Sequence, residues 1–123
     1  MASTGLVLPT DRPILRLVTV DVHGGRVEDF AHELERGRPI LRRCGIEAEV
    51  RAWAATYSGP DTGKVIVTLE FADFAAFARS EEAYARAVTD PEFAAWAEGL
   101  VDFRSLASDS LHTELAPIPD RVD

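Results

Sequence analysis

The sequence predicts a small α+β domain with a β-α-β-β-α-β order: one four-stranded antiparallel sheet, with its helices on one face. Three observations carry this. The chain has 123 residues, which suits one domain. Its apolar residues switch between a period of two and a helical period along the chain. A Ser-Gly-Pro-Asp-Thr-Gly run at 58–63 joins two alternating stretches as a hairpin would.

Element by element, Ile14 to His23 is rich in β-branched residues and reads as a strand, broken by Gly24-Gly25. From Arg26 the apolar residues Val27, Phe30, Ala31, Leu34 and Leu41 recur at helical spacing. Pro39 is expected to kink this helix or to end its regular part near Arg38, with Gly45 as the stop. Ile46 to Tyr57 and Lys64 to Phe71 are the hairpin strands. Asp73 is placed to cap a helix running to about Val88, and Thr89-Asp90-Pro91 restarts a short second piece that Gly99 ends. Phe103 to Leu115 is the fourth strand. Domain limits follow: a flexible lead over 1–12, the domain over 13–116 and a Pro-containing tail over 117–123.

Composition bounds the function. The net charge of −8 disfavours nucleic acid and anionic membrane as partners. Cys44 is the single cysteine, so an intramolecular disulfide and a cysteine-based metal cluster are both excluded. A reducing, cytoplasmic setting is the natural reading, because Gly5 to Leu8 is too short for a signal peptide or a membrane span. HxH and HExxH motifs are absent, and the Gly-containing turn lacks the Lys-Ser/Thr and helix of a phosphate loop.

Alternate strand residues point to opposite faces, and this parity carries the functional reading. Val18, Val20, Val22, Ala48, Val50, Ala52, Ala54, Val65, Val67, Leu69 and Phe71 are assigned to the helices. The other face then holds Leu15, Leu17, Thr19, Asp21 and His23 from the first strand, with Glu47, Glu49, Arg51, Trp53 and Tyr57 from the second. Lys64, Ile66, Thr68 and Glu70 complete it from the third. Pairing Tyr57 with Lys64 sets Trp53 opposite Thr68 and Arg51 opposite Glu70. The fourth strand has two candidate sets, Arg104-Leu106-Ser108-Ser110-His112 and Ser105-Ala107-Asp109-Leu111-Thr113, and a bulge would switch between them. The mixed second face leaves apolar groups to be covered, so two sheets packed face to face as a homodimer are expected.

The candidate site lies on that face. His23 is the expected proton carrier, Asp21 its orienting carboxylate, and Arg51 the holder of a substrate carboxylate or enolate. Thr19, Trp53, Tyr57, Ile66, Thr68 and Glu70 would shape the binding surface, the aromatic pair serving equally well as dimer core. For Arg51 a cross-strand ion pair with Glu70 is the competing and preferred reading. His112, near the opposite end from His23, and His32 on the first helix add no metal site. Cys44, at the end of a helix, reads as a structural thiol.

The stretch from Arg51 to Trp96 resembles NIPSNAP-like and antibiotic-biosynthesis-monooxygenase-like members of the dimeric α/β-barrel superfamily. The resemblance rests on an aromatic strand, a small Gly-containing turn, a Val-rich strand, an acidic helix cap and the phrase Thr89-Asp90-Pro91-Glu92-Phe93. It implies ferredoxin-like subunits that join sheets into a barrel around a cavity, and carries over no catalytic residue. Two expectations follow. One is a cofactor-independent small-molecule enzyme, a cyclase, isomerase or monooxygenase, acting on a hydrophobic, aromatic or polyketide-like substrate. The other is a non-catalytic dimeric binding or accessory protein of the same fold.

Overall fold

The computed structural model describes residues 10–115. Most of the 1–12 lead, and the tail over 117–123, lie outside them. The elements are β1 (Ile14–Val22), a 3-10 turn (His23–Gly25), α1 (Val27–Arg43), β2 (Glu49–Ala54), a second 3-10 turn (Gly59–Asp61), β3 (Val65–Phe71), α2 (Phe74–Ala87), α3 (Pro91–Phe103) and β4 (Arg104–Thr113). The strands form one sheet in the order β2-β3-β1-β4, with every pairing antiparallel. This is the ferredoxin-like α+β arrangement, with β1 and β3 central.

Parity is observed as expected on the helix-covered face. Ile14, Val20, Val50, Val65, Val67 and Phe71 are buried there, against Phe30, Leu34 and Ile40 of α1, Ala83 of α2, and Phe93, Trp96 and Leu100 of α3. Asp73 caps α2 by accepting from the Ala76 amide at 2.8 Å, and Asp90 caps α3 by accepting from the Phe93 amide at 3.0 Å.

Several boundaries differ from the sequence reading. α1 continues through Pro39 to Arg43, so the proline does not end it. Its end is a Schellman closure: the Gly45 amide donates to the Arg42 carbonyl and the Ile46 amide to that of Leu41, with Gly45 at φ +85°. Gly99 does not end a helix, because α3 continues past it to Phe103 and passes directly into β4. His23 leaves the strand and starts a 3-10 turn.

The hairpin register is shifted by two residues from the sequence reading. Trp53 pairs with Ile66, Arg51 with Thr68, and Glu49 with Glu70. The reason is the loop: the Ala55 amide bonds the Lys64 carbonyl and the Gly63 amide the Ala55 carbonyl, so the strands close before Tyr57. A shift of two preserves the faces while changing every partner. The expected Arg51–Glu70 pairing is therefore replaced by an Arg51–Glu49 ion pair at 2.8 Å. Tyr57 sits in the loop, 95% exposed. Glu47, expected on the open face, precedes β2 and instead pairs with Arg79 of α2 at 2.7 Å.

β4 contains the bulge that its two residue sets imply. Thr19 pairs with Ser108, but the next residue, Val20, pairs with Leu106, leaving Ala107 extra. Arg104 and Leu106 thus share the helix-covered face with Asp109, while Ser105, Ser108, Ser110 and His112 occupy the other.

A candidate cavity between sheet and helices

The apolar layer does not close completely. A cavity of about 350 Å³ lies between the sheet and the helices, walled at depth by Phe30, Val67, Phe93, Trp96 and Leu100. β4 is exposed along most of its length, so the cavity opens on that side. The size falls within the usual range for small-molecule sites.

The mouth is polar. Arg16 on β1 grips Asp109 on β4 with both ends of its guanidinium, Nε to Oδ1 at 3.0 Å and Nη2 to Oδ2 at 2.6 Å. The two side chains retain 38% and 33% exposure. The bulge at Ala107 creates this contact: regular pairing beyond Leu106 would point Asp109 to the opposite face. Hydrogen bonding from Arg16 holds the Asp109 carboxyl below its ordinary range against a desolvation effect of opposite sign, with Arg104 adding a weaker pull. Tyr84 and Glu81 of α2 stand across from Arg16 and line the same space.

One close approach shapes the rear wall. The Trp96 indole lies against Gly37 of α1, where an added Cβ would sit 2.0 Å from the ring. Its Nε1 donates to the Glu33 carbonyl at 2.8 Å. Gly37 is therefore required by packing, since any side chain would displace the ring.

The open face holds most of the sequence-predicted residues, but not as one cluster. His23 Nε2 meets Ser105 Oγ at 2.8 Å, beside Asp21, which pairs with Ser105 across the sheet. Arg51 is level with Leu17 through Thr68, four residues along β1 and two strands across from Asp21. Strand geometry puts the two Cα atoms about 16 Å apart, so one chain does not join Arg51 to His23 and Asp21. Trp53, half exposed, donates from Nε1 to Thr68 Oγ1 at 2.9 Å and lies beside Ile66. Thr19 is the exception on this face, buried at 4%. Glu70 is exposed at the β2 side of the sheet, and His112, bonded to Ser110 Oγ at 2.8 Å, is at the opposite end from His23. Among the described residues no group of His, Cys, Asp and Glu is arranged to hold a metal ion. No described helix is long and apolar enough to cross a membrane.

The cavity residues Arg16, Tyr84, Arg104 and Asp109 were not singled out by sequence reasoning. One signal was available: Arg16 interrupts an otherwise apolar parity set of Ile14, Val18, Val20 and Val22. A cation on a helix-covered face needs a partner, and the bulged strand supplies it.

Comparison with solved structures places the architecture. A NIPSNAP family protein of unknown function from Agrobacterium tumefaciens str. C58 superposes with a TM-score of 0.67 at 13% identity, over 93% of this chain and 98% of that one. The fold is that of NIPSNAP and antibiotic-biosynthesis-monooxygenase-like proteins. An uncharacterised NIPSNAP domain protein from Burkholderia xenovorans gives 0.65 at 18% identity, over 87% and 99% of the two chains. SnoaB from Streptomyces nogalater, described as a cofactor-independent oxygenase, gives 0.55 at 20% identity, over 89% and 99%. No protein-family model and no curated protein matches the sequence. At these identities the NIPSNAP and monooxygenase-like neighbours establish a shared fold, and within that fold activity is set by the site.

Proposed function

We propose that this chain is a cofactor-independent enzyme acting on a hydrophobic small molecule, aromatic or polyketide-like, held between the helices and the sheet. The single observation that carries the reading is an apolar cavity whose mouth bears a bidentate Arg16–Asp109 pair. Apolar walls bind a flat ring system, and the charged pair polarises an oxygen at its edge. Oxygenation is favoured over cyclisation or isomerisation because solved neighbours include a cofactor-independent oxygenase and a protein described as a putative antibiotic biosynthesis monooxygenase. Such a reaction balances with no added reductant: an activated CH2 group and O2 give a carbonyl and water, the substrate supplying the electrons. The open face, with Leu15, Leu17, Trp53 and Ile66, would be covered by a second copy of the chain.

The competing site is the open face itself. The His23–Ser105 contact favours it, with His23 moving a proton, Asp21 orienting it, and Arg51 arriving from the partner subunit. A binding protein without catalysis is the remaining alternative, consistent with NIPSNAP neighbours of unknown function.

The test is oxygen uptake with chelator-treated protein and a panel of naphthols and tricyclic hydroxy-ketones, followed by mass analysis of the products. Protein-dependent uptake that Arg16→Met abolishes and His23→Ala spares is expected. Loss on His23→Ala alone would move the site to the open face, and no uptake with any member would leave the binding reading.

A further inference from the structure

Arg16 carries more donors than Asp109 uses. A guanidinium presents five N–H groups in a fixed fork, and Asp109 engages only Nε and Nη2. The rest of the fork stands at a mouth whose inner wall is mostly aliphatic and aromatic, with the Ser80 hydroxyl and the Glu81 carboxylate also lining the cavity. The formal charges of the lining balance, Arg16 and Arg104 against Asp109 and Glu81; both cations act on Asp109, while Glu81 on α2 is exposed and solvated. Tyr84, half exposed beside it, adds a phenolic hydroxyl. From α3 the neighbouring residue at the rim is the apolar Val101.

We infer that the cavity mouth is a head-group site for an anionic oxygen, a carboxylate or a phenolate or enolate, on a flat apolar ligand, with Arg16 as the binding residue. The inference deepens the functional proposal and rests on its cavity being the ligand site. Asp109 keeps the guanidinium plane aligned when the site is empty and shares it when the anion arrives, through the planar geometry that makes Arg suited to carboxylates.

The molecule contains its own reporters. Its tryptophans lie on opposite faces of the sheet: Trp96 lines the cavity, and Trp53 is on the open face. The experiment is an NMR titration of the two indole N–H signals with 1-naphthoate and with its neutral analogue 1-naphthamide. Naphthoate is expected to bind at least about tenfold more tightly and to move the Trp96 signal. Arg16→Met should erase that preference while leaving naphthamide binding unchanged. Asp109→Asn, which removes the competing carboxylate at constant size, should tighten naphthoate binding, and it carries the test if Arg16→Met fails to fold. Equal affinities that shift Trp96 and ignore both substitutions would overturn the head-group site and leave the cavity reading standing. Shifts confined to Trp53, or none at either indole, would overturn both.

Discussion

Along β1, neighbouring residues meet opposite fates. Val18 and Val20 face α1 and α3 and join a layer in which Phe30 and Val20 are almost wholly enclosed. Leu15 and Leu17 face the other way and stay half-buried, in company with a Trp53 that is 50% exposed. The helix-covered face is thus complete within one chain, apart from the cavity near β4. The open face carries comparable apolar material without a cover. Most of the buried core belongs to the first face, as does the candidate cavity, and the proposed self-association would use the second.

That contrast can be broken by substitution. Phe30→Ala should cost about 4 kcal/mol in urea unfolding, the usual scale for deleting an enclosed aromatic ring. A loss below about 1 kcal/mol would mean that the helix layer packs loosely. Gly37→Ala should cost about 2–3 kcal/mol, because overpacking against Trp96 outweighs the gain in helix propensity of about 1 kcal/mol. Unchanged stability would show that the indole does not lie on α1. Trp53→Ala should cost the dilute subunit less than about 1 kcal/mol while weakening self-association in sedimentation experiments. A large loss in dilute protein would erase the distinction between the faces.

The smallest expected effect is pH-dependent and sits where the helix layer is pinned. Arg43, at the end of α1, holds Asp90, the cap of α3, through two contacts of 2.9 Å. Arg43 and the capped amide keep the Asp90 carboxyl well below the ordinary carboxylate range. A carboxyl depressed in the folded state contributes fully above its unfolded value, near pH ~4, and loses that contribution as pH falls through the folded value. Wild-type stability should therefore drop on acidification below about pH 4. Asp90→Asn, which retains a capping side chain, should flatten that limb. Identical pH profiles of the urea midpoint would show that the pair contributes nothing.

The open face was legible to parity and illegible to register. Trp53, Ile66, Thr68 and Arg51 fall on the predicted side because a side-chain period of two survives any even shift. Their partners depend on where the loop closes, and the bonds between Ala55 and its neighbours Gly63 and Lys64 form two residues earlier than turn composition implies. Arg51 consequently meets Glu49 on its own strand. Pro39 does not end α1. α1 tolerates it because packing of Ile40 and Leu41 against the sheet holds the helix through that point.

The sequence by itself determined the order of elements, the Asp73 cap of α2, the glycine stop after α1, and which face of the sheet most strand residues take, although Ala52 and Ala54 on the helix side are exposed and Thr19 on the open face is buried. Each of these is local, set by periodicity or by a side chain bonding its own backbone within a few residues. Only the tertiary structure decided that Ala107 is the bulged residue, that Asp109 turns to meet Arg16, and that Trp96 leaves room only for a glycine at 37. Those contacts join residues 93 and 59 positions apart, and their geometry exists only after β4 has docked on β1 and α3 on α1.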